Sequence, residues 1–321
     1  MTADFHEANP QMREIFGLTL AELGQQHEDI IAVDADLHTS TRIVHFKEKF
    51  PERFIQVGIA EQNLFGISAG LALAGFVPFP CTFASFVSRK SVDQFALSIC
   101  FPALNVKVPG SYVGIPTSKA GASHNSIEDI AYMRTIPNLK VAAPGDPEDM
   151  RAVMRTAYET PGPVYFRVVR YSLPNIFKNG HVFKWGKGEI LQEGDDVTLF
   201  GTGMMTDRCL KASEILRKDG IRAEVVHLAS IKPIDADLII KSVSKTGCAV
   251  TAENASIIAG FGSAVAEVLV ENYPVPMMRI GVRDQWIDSG EIEELFAHYQ
   301  MQPEDIAEAA KKAIEMKEAR K

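Results

Sequence analysis

A regular alternation of short apolar runs with longer amphipathic segments constrains the fold most. In the first half of the chain, segments with helical periodicity separate the apolar runs, and one of them begins at Pro147 with Asp146 as its predicted N-cap. Strands that alternate with helices predict a parallel β-sheet covered by helices. The runs predict strands at Ile30–Val33, Phe54–Val57, Val77–Cys81, Val106–Val108, Leu139–Ala142 and Val164–Val168.

The periodicity stops around residues 171–188, where proline, asparagine and glycine cluster. A second block of the same kind follows, and the chain of 321 residues is long enough for two domains. We therefore predict an α/β protein with two doubly wound, mostly parallel-sheet domains, residues 1–178 and residues 188–321. In the second block we predict strands at Val197–Phe200, Ala223–His227, Cys248–Thr251 and Met277–Val282, and helices at Asp207–Asp219 and Gly262–Asn272.

Composition narrows the class of protein. The formal net charge is −8, and the absence of a lysine or arginine run argues against a nucleic-acid partner. A content of 46% hydrophobic and 23% charged residues is typical of a soluble enzyme. The four cysteines are widely separated and the N-terminus lacks a signal peptide, so we expect reduced thiols, no metal ligands and a cytoplasmic location.

Residues 62–88 carry no charged side chain, a length that would suffice to cross a membrane. Gly75, Pro78 and Pro80 interrupt the segment, so we predict a helix that ends near Gly75 and a short strand after it. A helix that is apolar on all sides is normally buried on all sides. We therefore expect it to lie in the core or in a large subunit interface, and not in a membrane.

A carboxylate stands at the start of this apolar segment, in GIAEQN (residues 58–63). An ionised Glu61 would be costly to bury unless something paired with it. A protonatable carboxyl that hydrogen-bonds a cofactor would explain its position. The alternative is a carboxylate that is favoured only by the positive end of a helix dipole.

Several long motifs, in order, resemble the pyrimidine-binding and C-terminal domains of transketolases, from about Met12 to Ile314. The first block contains VDADLHTSTR (33–42), FIQVGIAEQN (54–63), TFASF (82–86), GASHNSIEDIAYMRTIPN (121–138) and VVRYSLP (168–174). The second contains SIKPID (230–235) and TAENASIIAGFGSAVAE (251–267). The Gly-Asp-Gly motif with which the family binds the diphosphate of its cofactor through Mg²⁺ is not found. The chain thus resembles the second subunit of a split transketolase, with Mg²⁺ ligands expected on an N-terminal partner subunit and self-association expected in an α2β2 assembly.

The resemblance implies a thiamine diphosphate site and roles for particular residues. Glu61 matches the glutamate that hydrogen-bonds the aminopyrimidine ring, and Phe83 and Phe86 match the aromatic wall around that ring. Arg89 follows closely and is a further candidate for the cofactor-binding set, where it would orient a loop or the partner subunit. His124 matches the histidine that faces the donor sugar. The alternatives are core phenylalanines and a loop histidine.

Arg170 matches the arginine that grips the sugar phosphate, a task suited to its fork of donors. Arg42 is a second candidate for an anionic substrate. Surface ion pairs are the alternative for Arg170. Asp34 and Asp36 end a strand, where an α/β site places polar groups, although helix capping explains them equally well.

The sugar-facing residues depart from the family pattern. Tyr112 stands where the family has a phosphate-facing histidine, and Ala120, beside Lys119, stands where it has an aspartate; Ala255 replaces another histidine. We therefore expect two-carbon ketol transfer to an aldose phosphate from a non-standard anionic donor, such as a sulfonated or branched sugar, with Tyr112 and Lys119 among the substrate-binding residues. The alternatives are the β subunit of a 2-oxoacid dehydrogenase, a deoxyxylulose-phosphate-synthase-like enzyme, or a non-catalytic scaffold.

Overall fold

The computed structural model describes residues 9–320, and the structural statements below concern this range. The first of two sheets has seven strands in the order β10–β5–β6–β4–β3–β1–β2. All neighbours are parallel except β10, which runs antiparallel to β5. The strands are β1 (Ile30–Asp34), β2 (Phe54–Gln56), β3 (Val77–Phe83), β4 (Lys107–Ser111), β5 (Lys140–Ala142), β6 (Val164–Val168) and β10 (Ser230–Lys232).

The second sheet has five strands in the order β12–β11–β8–β9–β7. Its inner pairs are parallel, and β7 closes one edge antiparallel to β9. The strands are β7 (Glu189–Gln192), β8 (Val197–Gly201), β9 (Ala223–His227), β11 (Ala249–Ser256) and β12 (Met277–Val282). Two mainly parallel α/β sheets confirm the predicted fold class.

Helices cover both sheets, and Asp146 caps one of them as predicted, because its side chain accepts a hydrogen bond from the backbone N–H of Asp149 at 2.8 Å. Short 3₁₀ turns span Pro51–Arg53 and Ile115–Ala120, and a π-helical turn spans Phe95–Cys100. The α-helices are α1 (Met12–Gln26), α2 (His38–Thr41), α3 (Val44–Lys49), α4 (Glu61–Leu73), α5 (Ala84–Lys90), α6 (Val92–Gln94), α7 (Asp129–Thr135), α8 (Pro147–Glu159), α9 (Met205–Lys218), α10 (Ala236–Thr246), α11 (Phe261–Asn272), α12 (Ile292–His298) and α13 (Pro303–Glu318).

The two halves share their core. Each of two hydrophobic clusters contains buried residues of both sheets, for example Phe166 with Leu199 in one and Tyr165 with Phe200 in the other. Strand β10 also crosses from the second half to pair with the first sheet. The two predicted domains therefore pack closely against each other.

Helix α4 places the uncharged segment on the surface of this chain. Gln62, Asn63, Gly66, Gly70 and Leu73 form an exposed, uncharged face, and Leu73 is 75% exposed. No helix within residues 9–320 is long and apolar enough to cross a membrane. The subunit interface stays a prediction, and the exposed face of α4 is a surface that could form it.

Candidate active site

Glu61 is the first residue of α4, and its side chain lies at the carboxyl end of the first sheet. Strand β2 ends at Gln56, and Gly58, with φ of +73°, turns the chain into the helix. Glu61 is only 3% exposed. Its Oε2 accepts a hydrogen bond from Nζ of Lys90 at 2.7 Å, whereas its buried Oε1 has no hydrogen-bond partner. A buried acceptor without a partner is costly, and it is the kind of group that a ligand satisfies.

Two phenylalanines stand beside this carboxylate. Phe83 ends β3 and Phe86 lies in the first turn of α5, with ring centroids 5.4 Å apart. Lys90 links them to Glu61, because its ammonium also lies 4.9 Å from the centre of the Phe86 ring. The His124 ring meets both phenylalanines edge-on, at 5.8 Å from Phe83 and 5.5 Å from Phe86. The fold thus brings together four of the residues selected from the sequence.

Tyr112 connects the aromatic group to a set of arginines. Its ring packs on Phe83 with centroids 4.1 Å apart, and the guanidinium of Arg170 lies 5.1 Å from its ring centre. Nη1 of Arg13 donates a hydrogen bond to the Tyr112 hydroxyl at 2.6 Å and another to the Ser40 carbonyl at 3.1 Å. Sequence reasoning did not select Arg13, because it lies in the first turn of a helix with no motif that distinguishes it.

The arginines produce a positive field at this end of the site. Burial lowers the pKa of Arg13, and the charges of Arg170 and Arg42 lower it further, although Tyr112 partly offsets them. Arg42 already has a partner, since its Nε donates to Glu14, which raises the pKa of Arg42 and lowers that of Glu14. Arg13 and Arg170 therefore form the part of the cluster that best suits an added anion.

Lys119 and Arg89 lie apart from the aromatic group and the arginine cluster. Lys119 is 75% exposed, and its ammonium pairs with Glu291 at 2.7 Å. Arg89 donates to the Glu128 carboxylate and to the carbonyls of Ala122 at 2.6 Å and Asn125 at 2.9 Å. Its contacts hold the backbone on either side of His124.

The hydrogen bonds of Asp34 are all made with neighbouring residues of this chain. It is fully buried and accepts hydrogen bonds from the Leu37 backbone at 3.0 Å, from Nδ1 of His38 at 3.0 Å and from the Gln56 amide at 2.7 Å. These contacts fix the turn that follows β1. Asp36 is exposed, with φ of +63° and a backbone N–H that donates to Gln56.

Within the described range no three histidine, cysteine, aspartate or glutamate side chains come together in a way that could hold a metal ion. A buried acceptor, an aromatic wall and a group of arginines lie at the carboxyl end of a parallel sheet, where doubly wound proteins bind ligands. This combination is typical of the ligand-binding edge of an α/β protein.

Comparisons with known proteins identify the family. The model of the transketolase pyrimidine-binding domain matches residues 8–175, and that of the transketolase C-terminal domain matches residues 186–306. The chain belongs to the transketolase family.

Relatives that are themselves subunits match almost the whole chain. A 6-deoxy-6-sulfo-D-fructose transketolase subunit, SqwH, of Clostridium sp. (strain MSTE9) is 40% identical over 309 residues, which is 96% of this chain and 96% of that protein. One subunit of the apulose-4-phosphate transketolase of Phocaeicola vulgatus is 37% identical over 299 residues, which is 93% of this chain and 96% of that protein. The solved structure of a split-gene transketolase, an inactive β4 tetramer, is 44% identical, has a TM-score of 0.90, and is matched over 95% of this chain and 99% of that one.

Proposed function

We propose that this chain is one subunit of a thiamine-diphosphate-dependent transketolase that transfers a two-carbon ketol unit from a ketose to an aldose phosphate. The observation that carries the proposal is the buried Oε1 of Glu61, which has no partner and lies beside Phe83, Phe86 and His124. A scaffold has no physical need for an unsatisfied buried carboxylate next to an aromatic wall.

The chain's own residues fit the pyrimidine half of the cofactor. Thiamine diphosphate, when bound, supplies a carbanion that adds to a ketose carbonyl. Glu61 would hold the ring nitrogen of the aminopyrimidine and exchange a proton with it at Oε1. Phe83 and Phe86 would cover the ring and exclude water, and His124 would orient the donor hydroxyl next to the reacting centre.

The anionic end of the donor fits the cluster around Tyr112. Arg13 and Arg170 supply guanidinium donors, and the Tyr112 hydroxyl adds a neutral donor where the family usually has a histidine. We propose a donor with a sulfonate or another non-standard anionic or branched end. The names of two relatives, which refer to a sulfonated sugar and to apulose 4-phosphate, support this choice. Lys119 lies in the exposed segment that follows Tyr112 in the sequence, and it would contact the donor at the edge of this cluster.

The missing half of the cofactor site requires a partner. We propose an N-terminal subunit that binds the diphosphate through Mg²⁺, in an α2β2 assembly built on the uncharged face of α4. The solved relative that forms a β4 tetramer is described as inactive, which supports the need for a second kind of subunit.

Reconstitution tests this function. The chain would be purified with the candidate N-terminal subunit encoded beside it, with thiamine diphosphate and Mg²⁺, and sulfonated, branched and ordinary ketose donors would be compared with an aldose phosphate acceptor. We expect two-carbon transfer that falls by about 10²-fold or more in Glu61→Ala, because a positioned proton-transfer group contributes that much. Glu52→Ala, on an exposed glutamate, is the matched control and should keep full activity.

Two results would contradict the proposal. A complex that forms but binds no thiamine diphosphate would remove the enzyme assignment, and the scaffold interpretation would replace it. Full activity with xylulose 5-phosphate, and none with the modified donors, would remove the reason for a non-standard donor.

A further inference from the structure

Residues 112–124, called here the crossing loop, carry both Tyr112 and His124 in a strained backbone. Positive φ angles occur at two residues that are not glycine, and such conformations persist only where the surroundings impose them. The loop therefore needs anchors to keep these side chains in place. The positive φ angles are +63° at Tyr112, +62° at Gly114, +60° at Ser118 and +68° at Gly121.

The first half of the chain supplies some of these anchors. The Gly114 N–H donates to the Ser126 carbonyl at 2.7 Å, and the Thr117 hydroxyl donates to the Tyr112 carbonyl at 2.9 Å. Arg89 holds the later part of the loop through the Ala122 carbonyl. None of these contacts holds the N–H of Ile115, which is fully buried.

The second half supplies that contact through Asn254 at the end of β11. Oδ1 of Asn254 accepts a hydrogen bond from the Ile115 N–H at 3.0 Å, and Asn254 is only 2% exposed. Its amide lies so close to Gly114 that a Cβ at that position would clash with it. The loop and the amide are therefore packed as one unit, and a residue of the C-terminal half closes the base of the crossing loop.

Asn254 is itself held rigidly. Its carbonyl accepts a hydrogen bond from Nη2 of Arg167 at 2.9 Å, and Arg167 is fixed by its buried ion pair with Asp129. The side-chain amide also contacts Sδ of Met204 at 3.2 Å. A continuous set of contacts thus runs from β6 through Asn254 to the Ile115 N–H.

We propose that Asn254 is a positioning residue through which the C-terminal half fixes the crossing loop, and with it the place of Tyr112 and His124 toward the donor sugar. The inference rests on the proposed function for its effect on the donor, but the contact itself does not. Glu61 and its partner Lys90 lie outside the loop, so we expect the affinity for the cofactor to be independent of Asn254.

Hydrogen–deuterium exchange on the chain itself tests the anchoring. In Asn254→Ala we expect the Ile115 amide, and the peptides that cover residues 112–124, to exchange about tenfold faster or more, since a buried donor loses its partner. Asn254→Asp keeps an acceptor oxygen and should restore slow exchange. Asn254→Ser, whose hydroxyl is too short to reach, serves as a second disrupted variant if Asn254→Ala does not fold.

A matched control separates this effect from a general loosening of the two halves. Arg134→Ala removes a different contact between them, the hydrogen bonds to the carbonyls of Ala259 and Gly260 at 2.6 and 3.0 Å, without touching the crossing loop. We expect its loop exchange to match that of the wild type. Unchanged exchange in the disrupted Asn254 variants, or an equal rise in Arg134→Ala, overturns the proposal.

The assembled enzyme gives the second readout. In Asn254→Ala we expect the donor KM to rise about tenfold while kcat changes less than about threefold and the affinity for thiamine diphosphate is unchanged, with rescue in Asn254→Asp. An equal loss of cofactor affinity would overturn the positioning role. If the wild-type assembly transferred no ketol unit, the proposed function would fail, whereas the exchange comparison would still decide whether Asn254 holds the loop.

Discussion

Arg167 and Asp129 form an ion pair next to the candidate site, with side chains only 5% and 0% exposed. The guanidinium donates to the carboxylate at 2.8 and 3.1 Å, and the Tyr165 hydroxyl donates to it at 2.8 Å. Removing one member of a buried pair leaves the other charge without compensation. Removing one member of this pair should therefore destabilise the fold strongly.

Replacing Arg167 with methionine should lower the free energy of unfolding by about 3–5 kcal/mol, because the buried Asp129 charge would lose its partner. Urea denaturation followed by circular dichroism measures the change. Arg222→Met, which removes an exposed pair with Asp195, is the control and should change the stability very little. Equal effects in the two variants would contradict the argument.

At the same scale, a substitution of Tyr112 tests the proposed contact with the anionic end of the donor. Tyr112→Phe removes the hydroxyl that accepts from Arg13 at 2.6 Å and keeps the ring on Phe83. Because the proposed hydrogen bond from this hydroxyl to the anionic end of the donor would be worth about 1 kcal/mol, we expect the donor KM to rise roughly fivefold with little change in kcat. Steady-state kinetics with donors that have and lack the anionic group measure this effect.

The matched control for that prediction is Tyr158→Phe, which loses a tyrosine hydroxyl bonded to Asp29 at 3.0 Å, away from the aromatic group. Its donor KM should stay at the wild-type value. If Tyr112→Phe left the KM of the anionic donor unchanged, the hydroxyl would have no part in recognising it.

At the scale of elements, several of the parallel strands were the easiest to predict. The bounds of β6, β9 and β12 agree with the predicted ranges, because each is a short apolar run between clear breaks. Strands β7 and β10 were missed. They are short edge strands that pair antiparallel with distant segments, and the local sequence does not encode such a partner.

The candidate site divides in the same way. Glu61, Phe83 and His124 belong to continuous motifs, so the sequence was sufficient to select them. Arg13 and Asn254 were not selected as site residues. Arg13 hydrogen-bonds Tyr112, 99 positions away, and Asn254 hydrogen-bonds Ile115, 139 positions away, and the sequence pattern does not show such contacts. The sequence can therefore point to candidates within continuous motifs, but not to residues that reach them only through the tertiary fold.

The exposed face of helix α4 allows a test of the predicted subunit interface. A side chain at Gly70 would meet no atom of this chain within 4 Å, so Gly70→Glu should leave the fold intact. The added charge would lie on the uncharged face next to Leu73. If this face forms a subunit interface, the variant should shift the chain from oligomer toward monomer, because an unpaired charge would be buried there.

Sedimentation velocity measures that shift at several concentrations. Glu315→Lys, on the distant helix α13, is a control that changes a charge away from this face and should keep the wild-type assembly. A Gly70→Glu chain that folds and associates as the wild type does would place the interface elsewhere.

At the scale of the whole molecule, a polar cluster joins the two halves. Nε2 of His227 in β9 lies 3.0 Å from Asp149 in α8, and Nε2 of His181, in the connecting segment, lies 3.3 Å from the same carboxylate. Burial tends to raise the pKa of Asp149, but the hydrogen bonds from both histidines and from Gly145 outweigh it and hold that pKa at about 2. Asp149 therefore stays ionised near neutral pH and favours the protonated form of His181.

His181 should make the stability of the whole chain depend on pH. Burial tends to lower its pKa, but Asp149, Glu189 and Asp146 outweigh this and raise the pKa above the ordinary 6.5. A raised pKa means that the protonated form binds better in the folded state, so the stabilisation is complete below pH 6.5 and is lost as the pH rises through the folded-state value. His181→Gln should therefore lower the melting temperature more at pH 6 than at pH 8.5. His298→Gln, on a histidine that is 62% exposed, is the control in the same thermal scans. If His181→Gln lowered the melting temperature equally at both pH values, the contribution of His181 would come from packing on Phe177 and not from its charge.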